Sequence, residues 1–270
     1  MSPLWRDEVG IYLAPRRVCL VRIRRGIRPT LLHDENYIEP LAAPGWESVL
    51  ALLEQRLAQG RWSDARARIV VADQWVRYSV VPWSDALSSA AERLAHAREL
   101  MSGIFGDAMT DWTLCLSEAP PGASRLASAM PSALLESLRE LTARHGLKLA
   151  SVQPQLIAAY NSWRHRIPEA GSWFVTVERG SLAAARIGHD GFERVHTVRI
   201  GDDWTREIRR LQIFGRLVNA SAPNGRVYVD APLAWRPAAL PAGPDLEWLE
   251  EAAPALTTLH RLEHLRRLAA

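Results

Sequence analysis

Cysteine is nearly absent from this chain: Cys19 and Cys115 are the only two in 270 residues. That is too few for a disulfide framework or a cysteine-based metal site. Each lies in an apolar, strand-like run, where a lone cysteine reads as a small buried hydrophobe. Lysine is scarcer still, with Lys148 alone, so arginine supplies the basic charge. The net charge is +3, and acidic residues are spread along the whole chain, which argues against the basic stripe of a nucleic-acid binder. The one dense group, Arg16, Arg17, Arg22, Arg24, Arg25 and Arg28, would be divided between two faces by strand alternation. No apolar run approaches the roughly 18 to 20 residues that span a bilayer. The start, MSPLWRDEVG, lacks the apolar core of a signal peptide. The expectation is a cytoplasmic chain, not itself inserted in a membrane, that can dock on a membrane complex.

Catalytic signatures are missing as well. Ser124 and Ser181 sit in no GxSxG elbow, so hydrolase chemistry has no support. His260 and His264 stand four residues apart without an HExxH pattern or a third ligand, which reads as a solvated helix face. No catalytic residue, metal or cofactor is expected.

What the chain does have is 48% hydrophobic residues, enough to bury a large core as one domain or two lobes. Its main feature is a repeat. Residues 9–23 read VGIYLAPRRVCLVRI and residues 174–187 read FVTVERGSLAAARI: an apolar strand, a short polar turn and a second apolar strand, once in each half. A third strand at 28–32 follows the first hairpin. A helix at 46–59 has apolar residues at helical spacing. Strands are expected at 68–72, 75–81 and 112–117, around a long helix at 84–105. After the break at Pro120, Pro121 and Gly122 come a helix at 132–145 with Gly146 as C-cap, a strand at 147–152 and a helix at 154–163. Residues 167–171 (IPEAG) read as a linker. The second half has its hairpin, a turn at 189–191, a strand at 192–200, a helix at 203–217 and a strand at 226–229. An irregular, proline-rich stretch at 232–244 and a basic amphipathic helix at 256–268 close the chain. Strands and helices alternate throughout, so the class is mixed α/β.

The order of these pieces resembles the actin-like assembly proteins of type IV pilus and type II secretion machines, of the PilM type, with the cytoplasmic domain of GspL as a near relative. Gly10-Ile11 and Val18-Cys19-Leu20-Val21 resemble that family's opening "GIDIG…KLV" hairpin. Residues 72–82, ADQWVRYSVVP, are similar to its "GxxVxxRxxxLP" strand pair. Residues 134–156, with GLKLASVQPQL, resemble its "AGLKPxxVDVxPLAL" segment. Residues 174–201 resemble its second phosphate hairpin and the "RxIPIGG" strand after it. The likeness runs over roughly residues 8–232. It implies an actin-like (ribonuclease H-like) fold with a first lobe at 1–166, a small α/β subdomain inserted at about 68–119, and a shortened second lobe at 167–270.

In such folds the two hairpins face each other and clasp nucleotide phosphates. That needs an acid for Mg²⁺ or its water, and glycines so that turn N–H groups can approach phosphate oxygens. Here the acid positions are Tyr12 and Thr176, and the glycine positions are Ala14, followed by Pro15, and Glu178. Proline has no N–H to offer, and a carboxylate aimed at a triphosphate repels it. The family's later "GG" turn corresponds to Asp230-Ala231-Pro232, with no glycine. Gly180 is the one glycine nearby, and Arg16, Arg17 and Arg179 are the nearby cations. The cleft is thus expected to be degenerate and ATP binding lost.

The resemblance then implies a non-catalytic scaffold that binds the cytoplasmic tail of a PilN-like or other single-pass inner-membrane protein at the membrane's cytoplasmic face, with self-association also open. The tail groove is expected around Val76, Tyr78, Val80 and Val81. The alternative is an active actin-like ATPase or sugar-kinase-like enzyme with a non-standard site, using Asp202, Asp203 or Glu178 as its acid.

Overall fold

The computed structural model describes residues 6–27, 29–38, 45–167, 170–201, 204–218, 226–232 and 246–249. The segment at 256–268, most of 232–244, Asp202, Asp203, His260 and His264 lie outside the described residues.

Two five-stranded sheets carry the chain, and they repeat one topology. In the first half, β1 (Glu8–Ala14), β2 (Arg17–Arg24) and β3 (Thr30–Ile38) form an antiparallel meander, and β4 (Ala65–Val71) and β8 (Leu147–Pro154) add parallel to β1, giving the order β3-β2-β1-β4-β8. In the second half, β9 (Trp173–Glu178), β10 (Ser181–Gly188) and β11 (Gly191–Arg199) form the meander, and β12 (Val227–Asp230) and β13 (Leu246–Trp248) add parallel, giving β11-β10-β9-β12-β13. Even the register irregularity recurs: it falls between Arg22 and Ile23 in β2 and between Arg186 and Ile187 in β10, the sixth and seventh residues of each strand.

The inner strands read as unbroken apolar runs because both of their faces are covered. Every residue of β1, β9 and β10 is buried, while the outermost strands β3 and β11 are half-exposed and polar. Helix α1 (Glu47–Leu57) buries Val49, Leu50, Leu53 and Leu57 on one stripe, each such side chain contributing about 1.5–3 kcal/mol. Helix α3 (Ser132–Arg144) does the same with Leu134, Leu138 and Leu141. Gly146 follows it at φ 68°, the left-handed backbone that ends helices. Helix α4 (Gln155–Trp163) lies between the halves. Leu156, Ala158, Ala159 and Trp163 are buried, and the Tyr160 ring meets Phe174 at 5.7 Å and Phe192 at 4.7 Å in the second sheet. Helix α5 (Thr205–Val218) covers the far face of that sheet through Trp204, Ile208 and Leu211.

A third sheet, with order β5-β7-β6, joins β5 (Arg77–Val81), β6 (Trp112–Leu116) and β7 (Arg125–Pro131) under α2 (Ala90–Phe105). Its central strand, β7, comes after residue 119 and has no counterpart among the strands expected from sequence. Helix α2 also begins six residues later than expected. Ser89 accepts from the Glu92 backbone N–H while the Glu92 carboxylate accepts from the Ser89 N–H, a capping box that fixes the start. The strand at 28–32 is longer than expected and runs to Ile38, held by pairing with β2 rather than by apolar content.

Candidate functional site

The two hairpins face each other, and side chains fill the space between them. Their turns are equivalent: Ala14 pairs with Arg17 around Pro15-Arg16, and Glu178 pairs with Ser181 around Arg179-Gly180. Ala14 and Glu178 therefore hold matching positions at the edge of each turn, as do Tyr12 and Thr176 two residues before that edge. The Tyr12 hydroxyl donates to Glu178 Oε1 across the cleft. Glu178 Oε2 accepts from the backbone N–H of Asp73 at 3.3 Å.

Asp73 is the centre of this cluster, and no sequence motif pointed to it. It opens a 3-10 turn, Asp73–Trp75, with Ala72 alone between it and β4, and is 2% exposed. Its Oδ1 accepts from the Tyr78 hydroxyl and from the Leu156 N–H at 3.0 Å, and its Oδ2 accepts from Thr176 Oγ1 at 3.2 Å. One carboxylate thereby joins the inserted sheet, the first turn of α4 and the second-half hairpin. The exposed N–H groups of a helix start suit a negative charge, which is why a buried acid is tolerated there. The signal in the sequence was an acid just past a buried parallel strand, the end of an α/β sheet at which sites gather.

The electrostatics follow from the burial. Tyr78 is pushed well above the usual phenol range, first by burial and then by the charges and hydrogen bond of Asp73 and, further, by the charge of Glu178. It stays a neutral donor at any physiological pH. Both carboxylates accept from hydroxyls and backbone N–H groups, so these donors around the space are already engaged. A polyphosphate needs the reverse: free N–H groups and cations. Outside the cleft, Gln74 Nε2 donates to the Arg179 carbonyl at 2.7 Å, and Ser124 Oγ donates to the Phe192 carbonyl at 3.2 Å. These bonds tie the same two regions together again.

The remaining expected residues fall as follows. Gly180 has φ 80°, and a side chain there would find only Gln74 Nε2 close by, at 3.7 Å from its Cβ, so its role is the turn. Gly180→Ala is expected to cost about 1 kcal/mol from backbone strain alone, read as a shift in the urea midpoint. Arg16 takes the matching place in the first turn with φ 69°. Arg17 binds Asn36 at 3.0 Å, Arg22 pairs with Asp7 at 2.8 Å and Arg25 lies 3.7 Å from Glu8, so these three arginines are engaged by near neighbours in the first half. Of the four residues expected in a tail groove, Val76, Tyr78 and Val81 are buried in the core, and Val80 is half-buried. Asp230 is fully buried beside Thr176 in the sheet, followed by Ala231. Cys19 is buried and Cys115 is exposed. Among the described residues no group of acids, histidines and cysteines could hold a metal ion, and no helix is long and apolar enough to cross a membrane.

One titrating group outside the cleft gives a pH prediction. His196 in β11 stacks on Trp173 at 6.1 Å and is held below the usual imidazole range by burial and then by Arg194. A lowered histidine pKa means the unfolded chain takes the proton first. Its contribution to stability is therefore present above about pH 6.5 and lost as pH falls through the folded value. His196→Gln is expected to flatten the decline in melting temperature between neutral and mildly acidic pH. An unchanged pH profile would assign that decline to other groups.

No protein-family model and no curated protein matches the sequence. Solved structures do match. The cytoplasmic domain of EpsL, an inner membrane component of the type II secretion system of Vibrio cholerae, superposes with a TM-score of 0.60 at 10% identity, covering 96% of this chain and 94% of that one. A PilM-PilN type IV pilus biogenesis complex gives 0.57 at 15% identity, covering 82% and 80%. A Bacteroides thetaiotaomicron protein of unknown function with an actin-like ATPase fold gives 0.58 at 10%, covering 87% and 86%. At such identities the likeness is one of fold. With the duplicated sheet and facing hairpins described above, it establishes that this chain has the actin-like fold.

Proposed function

We propose that this protein is a non-catalytic scaffold of a type IV pilus or type II secretion assembly platform that binds the cytoplasmic tail of an inner-membrane partner. The observation that carries the proposal is the filled cleft. Tyr12, Asp73, Thr176 and Glu178 occupy and charge the place where an actin-like ATPase would hold phosphates, so the fold is retained without the chemistry that usually accompanies it. The likeness to a secretion-system domain and to a pilus biogenesis complex supports the choice of machine. In this reading the lobes are residues 1–166 and 167–270. The inserted unit, first drawn at about 68–119, is extended to take in β7.

The partner would be a PilN-like or other single-pass inner-membrane protein, which would bring the scaffold to the membrane's cytoplasmic face. Its tail would meet the surface around β5, because Val76, Tyr78 and Val81 themselves are committed to the core. Extended tails of this kind bind through backbone hydrogen bonds and a few apolar anchors.

Two titrations test the proposal. Mg-ATP at millimolar concentration is expected to give no binding heat, and micromolar binding would overturn the loss of nucleotide chemistry in favour of an ATPase. A peptide corresponding to the partner's cytoplasmic tail is expected to bind and to crosslink to the first half. Crosslinks confined to residues 170–249 would overturn the placement.

A further inference from the structure

Sheet edges are open rows of N–H and C=O groups, and folded proteins guard them with charge, proline or cover. Most edge strands described here follow that rule. β3 carries His33, Asp34 and Glu35, β8 carries Lys148, β11 carries Glu193, Arg194 and Arg199, and β13 carries Glu247. β5 carries Arg77 and has β11 running beside it. β6 reads WTLCL, without a charge or a proline, and among the described residues it pairs with β7 alone.

Its chemistry is also self-matching. The N–H of Ser117 reaches across to the Leu126 carbonyl. Because alternate residues of an antiparallel strand point opposite ways, Thr113 and Cys115 also turn their backbone groups toward β7. Trp112, Leu114 and Leu116 then turn theirs outward, and Arg98 Nη1 contacts the Trp112 carbonyl at 3.4 Å from that side. The side chains of Trp112, Leu114 and Leu116 lie under α2, with Trp112 and Leu116 only half-buried, while Thr113 and Cys115 are exposed. Helix α2 also leaves Ile104 61% exposed on the stripe of Ala97 and Met101, so the layer above this edge has unused apolar surface.

We propose that β6 is a homodimer interface, pairing antiparallel with β6 of a second copy about a two-fold axis at Leu114. Leu114 meets its own counterpart and Trp112 meets Leu116, so the outward backbone groups form the hydrogen-bonded pairs. Thr113 meets Cys115 on the opposite face. The flanking acids do not oppose each other: Asp111 falls beside Ser117, and Glu118 beside Thr110. The two three-stranded sheets become one six-stranded sheet with an α2 helix over each half. Such an isologous contact closes on itself and does not propagate. It stands independently of the scaffold reading.

The test is sedimentation of the full chain from micromolar to submillimolar concentration. The wild type is expected to dimerise. The double variant T113K/C115K places lysines opposite lysines on exposed positions, gives up the hydroxyl contact of Thr113 with Ser132 at 2.8 Å, and is expected to weaken dimerisation at least tenfold. T113K/C115E places Lys opposite Glu in this register and is expected to restore the dimer. Under mild oxidation, Thr113→Cys is expected to crosslink to Cys115 of the second copy, since non-hydrogen-bonded cross-strand positions lie close enough for a disulfide. A wild type that stays monomeric throughout, or a dimer indifferent to T113K/C115K, overturns the proposal.

Discussion

Asp73→Ala is expected to lower the unfolding free energy by about 3–5 kcal/mol. The carboxylate is 2% exposed and accepts from the Tyr78 hydroxyl, the Leu156 N–H and the Thr176 hydroxyl. Truncation strands the Tyr78 hydroxyl and the Leu156 N–H, while Thr176 keeps the Ala183 carbonyl within reach, and an unsatisfied buried donor costs about 1–3 kcal/mol. The simple sum overstates the loss for two reasons. A space lined by several polar groups can admit a water, and removing the charge relieves repulsion with Glu178. Asp73→Asn separates shape from charge. Its carbonyl can keep the bonds at Oδ1, and Thr176 can turn to accept from the amide while donating to the Ala183 carbonyl, 3.5 Å away. The amide variant is accordingly expected to lose about 1–2 kcal/mol. Urea unfolding of both variants measures this. Losses below about 1 kcal/mol in both would show that the cleft does not depend on its central acid.

The hairpins were legible because their pattern needs no partner to explain it. Buried strands such as those containing Ile11 and Val175 must be apolar on both faces, and a two-residue turn between them announces itself by Pro15-Arg16 or Arg179-Gly180. The matching of Tyr12 with Thr176, and of Ala14 with Glu178, came with the family resemblance rather than from the pattern alone. β7 was not legible. Its sequence, RLASAMP, is rich in small residues with weak strand preference and is framed by a Pro-Pro-Gly break and Pro131. It is a strand because β5 and β6 hold it from both sides. The later half of β3, HDENYI, was missed for a related reason: an outer strand with one solvated face keeps little of the apolar signal.

The cleft was half legible. The lack of an acid and a glycine at each turn led to the expectation of a degenerate cleft, but did not say what fills the space. The replacement depends on the Asp73 side chain meeting Leu156, Thr176 and Tyr78, from segments as much as 103 positions apart. Nothing in the local sequence ADQW distinguishes this acid from a turn-forming aspartate. The groove residues illustrate the converse. Val76, Tyr78 and Val81 are apolar because they are core, and a single sequence cannot separate that from an apolar binding line.

Glu178→Ala is expected to cost about 2 kcal/mol. Two terms oppose each other. Losing the carboxylate strands the Tyr12 hydroxyl, on a residue 2% exposed, and the Asp73 N–H. Against this, one of two neighbouring buried charges disappears. Hydrogen bonding is expected to win, because a short side chain cannot refill the space between the hairpins and both donors are sealed from bulk water. Glu178→Gln distinguishes the terms: its carbonyl still accepts from Tyr12, and the charge is gone, so its cost should stay below about 1 kcal/mol. A double-mutant cycle of Tyr12→Phe with Glu178→Ala should return a coupling of about 1–3 kcal/mol. The readout specific to a link between halves is amide exchange. In the alanine variant, protection should fall together in β1–β2 and β9–β10, although only the second hairpin carries the substitution. Exchange that rises in β9–β10 alone would show that the halves are held by α4 and the outer contacts of Gln74 and Ser124, with the Tyr12–Glu178 bond a passenger between them.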